Sequence, residues 1–233
     1  MGSMLRARVA LLCGLLSLGL EGCRSEAEED FAGLSVEKIR ERVLEDMRDA
    51  SSLTVRGGDR TRDLAVQVES SFDKDGHCKG SIAIGKGKGH FLRTDDTSFM
   101  RGDEEYWRAT EGEYAEDVIA LVGPKWVLVP VSMDRLAELC DVEHFLQDVE
   151  DVDEDLATKG ETSELDGREA LEIKVKEHGV TRHIWVAVEG EHHVLKIQYD
   201  NDLAAGLKFS NYEVPVDVEA PAEGEYVDFS EAV

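Results

Sequence analysis

No uncharged apolar run in these 233 residues is long enough to cross a bilayer as a helix. The longest, Val9 to Leu20, holds 12 residues where about 20 are needed. Catalytic signatures are also missing. The chain has no G-x-S-x-G elbow, no Walker loop, no HExxH and no CxxC, so no motif points to a hydrolase, an NTPase, a zinc protease or a thiol oxidoreductase. Basic residues are scarce, 26 Lys and Arg against 51 Asp and Glu, for a formal net charge of −25. A field of that sign repels nucleic acid and anionic headgroups, and its plainest origin is a strongly solvated surface.

The first 23 residues carry the strongest positive signal. Arg6 and Arg8 precede the apolar run, and Leu20-Glu21-Gly22-Cys23 follows it. A basic patch, a short apolar core, a small residue and a cysteine make a bacterial export signal that ends at a lipidated cysteine. Glu21 stands where that pattern prefers a small or hydroxylated residue. The alternative is an ordinary secretory signal with Cys23 as a bystander. N-myristoylation of Gly2 fits less well, because Arg6 occupies the position that wants Ser or Thr. The reading divides the chain into a signal peptide over 1–22, a lipidated acidic tether over 23–34 and one domain over 35–233. It places the protein at the cell membrane, lipid-anchored on the extracytoplasmic face.

Cysteine arithmetic agrees with export. Cys13 leaves with the signal and Cys23 takes the lipid, so Cys78 and Cys140 remain as a pair suited to an oxidising exterior. A disulfide between them would remove loop entropy worth about 4 kcal/mol. Two buried free thiols are the alternative.

The domain reads as α+β. Ser35 caps a helix whose Val36, Ile39, Val43, Met47 and Ala50 share a face. Short β segments follow: Leu53–Val55, Leu64–Glu69, Ile82–Ile84, His90–Arg93, Ser98–Arg101 and Glu105–Ala109. Gly57-Gly58-Asp59, Asp73 to Gly76, Gly85 to Gly89 (a mobile turn), Thr94 to Thr97 and Gly102-Asp103 are their expected turns. The middle turns helical around Tyr114, Val118, Ile119 and Val122. After an extended stretch from Trp126 to Val131 come a short helix with Leu136 and Leu139 and another with Val142, Phe145, Leu146 and Val149. A second meander follows, through Leu171–Val175, His183–Val188, Leu195–Tyr199 and Leu207–Tyr212. Val214 to Val227 closes the chain as extended edge.

Several residues together carry a family resemblance. They are the signal with Cys23, the helix from Ser35 running into Ser52-Leu53-Thr54-Val55-Arg56-Gly57, Gly80-Ser81-Ile82, Tyr106-Trp107, Lys125-Trp126, the Thr181 to Val188 strand and the closing Asp217 to Pro221. In these the chain resembles LolA/LolB-like bacterial lipoproteins, most nearly the actinobacterial LppX and LprG type. The resemblance implies a curved antiparallel β half-barrel covered by helices, with an apolar cavity between them that holds acyl chains. Such relatives carry lipids or lipoproteins between membranes, and some act as envelope sensors.

Under that reading the inward-facing residues Val66, Val68, Ile82, Ile84, Ile173, Val175, Ile184 and Val186 line a ligand space; a solid core is the alternative for the same residues. Trp107, Trp126 and Trp185 would flank its mouth. His178 and His183 flank a hairpin turn, Glu191, His192 and His193 follow the next, and they read as surface loop residues, not as metal ligands. Asp73 and Asp75 read as turn residues, and Asp148 to Asp155 as a solvated helix end. The expectation is therefore a binding protein with no catalytic residue, no metal and no cofactor. Its partners would be a lipid or other amphiphile and, through the anchor, the membrane; nucleic acid is not expected, and the protein partner is unassigned. An envelope sensor or interaction module on the same fold is the alternative.

Overall fold

The computed structural model describes residues 30–61, 64–95, 97–130, 136–201 and 205–228. The export signal, Cys23 and the tether up to residue 29 lie outside them. The first described element is a 3-10 turn, Phe31–Gly33, whose Phe31 is buried in the main core within the stretch read as tether. The Ser35 hydroxyl accepts from the Lys38 amide at 3.3 Å and opens helix α1, Val36–Asp49. Ile39, Val43 and Met47, four residues apart, form its buried stripe.

Among the described residues twelve strands build one sheet: β1 Ser52–Thr61, β2 Leu64–Asp73, β3 Cys78–Ile84, β4 Gly87–Thr94, β5 Thr97–Gly102, β6 Trp126–Val129, β7 Ala157–Leu165, β8 Arg168–Glu177, β9 Val180–Ala187, β10 Val194–Tyr199, β11 Gly206–Ser210 and β12 Tyr226–Asp228. Their spatial order is β12-β6-β5-β4-β3-β2-β1-β11-β10-β9-β8-β7. Pairing is antiparallel except for β12 on β6. The β1–β11 pairing, Val55 opposite Phe209, joins the two meanders into one sheet.

The registers give that sheet two unlike faces. Leu53, Phe72 and Cys78 share the inner face, as do Gly80, Phe91, Met100 and Val127 in one row and Ile197, Ile184 and Ile173 in another. Arg56 and Glu69, His90 and Arg101, and Lys174 and His183 pair on the outer face. An open sheet with one apolar face needs helices on that side only. α1 and α4 (Val142–Glu150) pack together over it, and α2 (Glu104–Thr110) packs with α3 (Ala115–Val122) against β4.

Several expected elements differ, each for a local reason. Glu105–Ala109 is helix α2, not a strand. Asp103 Oδ1 accepts from the Tyr106 amide at 2.7 Å, and Arg108 pairs back to Glu104 at 2.9 Å and Glu105 at 3.1 Å, which suits a helical turn. Gly57-Gly58-Asp59 is not a turn but the middle of β1. A Cβ on Gly57 would lie 2.5 Å from the Leu207 side chain, so the glycine serves a close strand approach. Of Gly85 to Gly89, Gly85 and Lys86 make the hairpin turn, while Gly87 and Gly89 are buried strand residues. β7 has no counterpart among the expected strands. Its Thr-Lys-Gly-Glu-Thr stretch lacks apolar alternation, and the bulge between Lys159 and Thr162 fits an edge strand.

Candidate functional site

The inner face between sheet and helices is the region that the sequence marks for a ligand, and its two halves differ. On the β8–β9 side, Ile173, Val175, Ile184 and Val186 are buried. α1 and α4 supply Ile39, Val43 and Val149 against them, leaving a void of about 20 Å³, room for one water. Core packing occupies this half.

On the β2–β3 side, Val66 faces Ile84 and Val68 faces Ile82 across the ladder, and all four are only half-buried. Ile82 and Ile84 rest against the main core, as do the half-buried Leu136, Leu139, Val118 and Leu207. Leu207 opens a strand the sequence also marks, but its approach to this face was not legible, since its partner Gly57 reads as a turn.

The cover is fixed covalently at one point. Cys78 on β3 and Cys140, in the 3-10 turn Ala137–Cys140 before α4, are bonded, with Cα atoms 5.6 Å apart. Ser70 Oγ donates to the Leu139 carbonyl at 2.6 Å beside that bond. Phe145 of α4 stacks on Phe72 of β2. These contacts hold the start of α4 over β2 and β3.

The other marked residues separate. Trp107 is buried and meets Tyr106 edge-on. Trp185 is on the outer face, stacked between His183 and the Lys196 ammonium, and Trp126 lines a groove formed by outer-face residues. These two therefore lie across the sheet from the marked face. The histidines do not converge. His183 bonds Glu172 at 2.7 Å, His192 stacks on Phe31, and no cluster of three metal-ligating groups occurs among the described residues. Asp148 pairs with Arg182 at 3.1 Å, and Asp153 caps the 3-10 turn that follows α4.

His193 is no surface residue. It is buried, stacked on Tyr212 at 3.9 Å between ring centres. Burial and the nearby Arg168 push its pKa down, while Asp46 and Glu213 oppose them. The unfolded chain binds this proton near pH 6.5 and the folded chain only at lower pH, so the group should cost stability as pH falls below about 6.5. Urea midpoints from pH 7.5 to 5 should therefore fall less in His193→Phe than in the wild type. Parallel curves would refute the assignment.

No family model matches this chain, and no curated protein does. Solved structures give low-level likenesses. An uncharacterized conserved protein from Thermus thermophilus is 11% identical, covering 82% of this chain and 98% of that one, with a TM-score of 0.38. The Pseudomonas aeruginosa MucA/MucB complex is 14% identical over 81% of this chain and 59% of its own, also with a TM-score of 0.38. A putative outer membrane lipoprotein-sorting protein domain from Vibrio parahaemolyticus is 9% identical over 78% and 95%, with a TM-score of 0.26. TM-scores this low carry no conclusion about function. The class defined by the coordinates is an α+β domain, with one large, mostly antiparallel open sheet and helices over its apolar face.

Proposed function

We propose that this protein is a membrane-anchored extracytoplasmic lipoprotein that holds an acyl-chain amphiphile against the inner face of its sheet, without chemistry of its own. The carrying observation is the in-register block Val66–Ile84 and Val68–Ile82, branched aliphatics left half-buried while the neighbouring half of the same face is packed. Burying a side chain of this size contributes about 1.5–3 kcal/mol, so an acyl chain laid along four of them has a substantial driving force. The likeness to LppX and LprG type lipoproteins, and a sheet curved as a half-barrel around the ligand, belong to the same reading. The anchor at Cys23 completes it, because two or more acyl chains hold a protein stably at a membrane where one does not.

The test is mass spectrometry of lipid extracted from the purified full chain, with a fluorescent acyl probe as a second readout. Val68→Trp should lower bound lipid several-fold while circular dichroism stays unchanged, and Cys23→Ala should move the protein into the medium. A folded wild type with neither co-purified lipid nor probe binding would overturn the carrier reading. Membrane retention of Cys23→Ala would overturn the anchor.

A specific feature supports the second reading, an envelope sensor or interaction module. Tyr114 and Leu121, seven positions apart beside and on α3, are 65% and 52% exposed. Exposed apolar groups on one helix face suit docking of a protein.

A further inference from the structure

Residues 77 to 94 contain no Asp or Glu, in a chain where acidic residues outnumber basic ones about two to one. The same stretch holds Lys79, Lys86, Lys88, His90 and Arg93. It folds as the β3–β4 hairpin, and β5 adds Arg101 directly opposite His90 on the outer face. A groove of about 760 Å³ is lined there by Lys88, His90 and Arg101 on one side and by Trp107, Ile119 and Pro124 on the other.

Arg101 is the unusual member. Its guanidinium carbon lies 4.6 Å from the centre of the Trp126 ring, a cation–π contact. The arginines of α1 and α2 pair with carboxylates within 4 Å: Arg40 with Glu154, Arg42 with Glu45, Arg48 with Glu143, and Arg108 with Glu104. Arg101 has no carboxylate at that distance among the described residues, so the Trp126 ring holds its guanidinium while the N–H donors have no acidic partner there.

Two carboxylates also line the groove, and both are engaged. Asp103 Oδ1 accepts from the Lys88 and Tyr106 amides at 3.1 and 2.7 Å, and Glu104 pairs with Arg108 at 2.9 Å. In the groove wall, the buried Trp107 indole N–H has no hydrogen-bond partner among the described residues.

We propose that this groove binds a phosphate group, with Arg101 as the bidentate donor, Lys88 and His90 beside it and Trp107, Ile119 and Pro124 against the group that bears the phosphate. The site is separate from the half-buried β2–β3 aliphatics and does not depend on the carrier reading. The net charge of −25 does not prevent it. At physiological ionic strength the Debye length is about 8 Å, so distant carboxylates are screened while a phosphate in contact with Arg101 feels its neighbours. The phosphate can come from free phosphate or from a lipid headgroup.

Calorimetric titration of the purified full chain at near-physiological salt tests this, with two probes: inorganic phosphate, and short-chain dihexanoyl phosphatidate below its micelle concentration. Saturable binding of either supports the site. Equal affinities would identify free phosphate as sufficient, and tighter phosphatidate binding would identify a headgroup. Arg101→Ala should weaken binding at least tenfold, and Arg101→Lys should not restore it, since an ammonium lacks the planar fork. Should Arg101→Ala fail to fold, Lys88→Gln with His90→Gln, both exposed in the wild type, should weaken binding several-fold. No saturable binding of either probe, or unchanged affinity in the folded variants, would overturn the proposal.

Discussion

Replacing Cys78 and Cys140 together by Ala should lower the stability of the domain by about 4 kcal/mol, the loop-closure entropy of a 62-residue loop. For a domain of this size that is a drop in Tm of roughly 10 °C. Both cysteines are buried, so the change also leaves a small cavity, and Ala avoids burying the unpaired hydroxyls that Ser would introduce. The 3-10 turn before α4 would then depend on the Ser70 to Leu139 hydrogen bond and on Phe145 stacked over Phe72. Hydrogen exchange should accordingly rise first at Ala137 to Phe145. Differential scanning calorimetry of the double variant provides the check, and an unchanged Tm would show that the bond does not constrain the unfolded chain.

Gly87→Val should destabilise by about 3 kcal/mol, at the upper end of what overpacking costs. A Cβ at Gly87 would lie 2.3 Å from the Tyr106 backbone nitrogen and 2.4 Å from its Cα, so the whole of α2 must move, not one flexible side chain. Gly89 and Gly102 complete the seat, since a Cβ at either would meet the Tyr106 ring at 2.8 and 2.4 Å. Moving α2 would also displace Trp107 from the core. Urea unfolding of Gly87→Val beside Lys86→Ala, an exposed control in the adjoining turn, should separate the two by several kcal/mol. Equal midpoints would mean that α2 does not rest on these strands.

How much was legible in the sequence varies from element to element. α1 was, because Ser35 caps it and Ile39, Val43 and Met47 repeat at helical spacing. The α4 stripe of Phe145, Leu146 and Val149 and the alternation of Leu171, Ile173 and Val175 in β8 were legible for the same reason: one face is buried, and burial writes a period into the residues. α2 was not, since seven residues with two adjacent aromatics read equally well as a strand, and its Asp103 cap falls in a segment that also reads as a turn. β7 was invisible because an edge strand half-exposed on both faces needs no apolar alternation.

The candidate site divides along the same line. Alternation placed Val66, Val68, Ile82, Ile84, Ile173, Val175, Ile184 and Val186 on one face, and the registers agree. It could not tell which of them the helices would cover, because that depends on where α1 and α4 cross the sheet, and crossing is set by packing between segments far apart in the chain. The unpaired Arg101 over Trp126 had no sequence signal either, since 25 residues separate the two and only the β5–β6 pairing brings them together. The sequence by itself determined the two-faced strands and the α1 and α4 stripes, which follow from local period, and it offered the Cys78–Cys140 pairing beside free thiols; the bond itself is a feature of the fold. The tertiary structure alone decided which apolar residues became core and which cations stayed without a carboxylate, because burial and pairing are properties of neighbours that only the fold assembles.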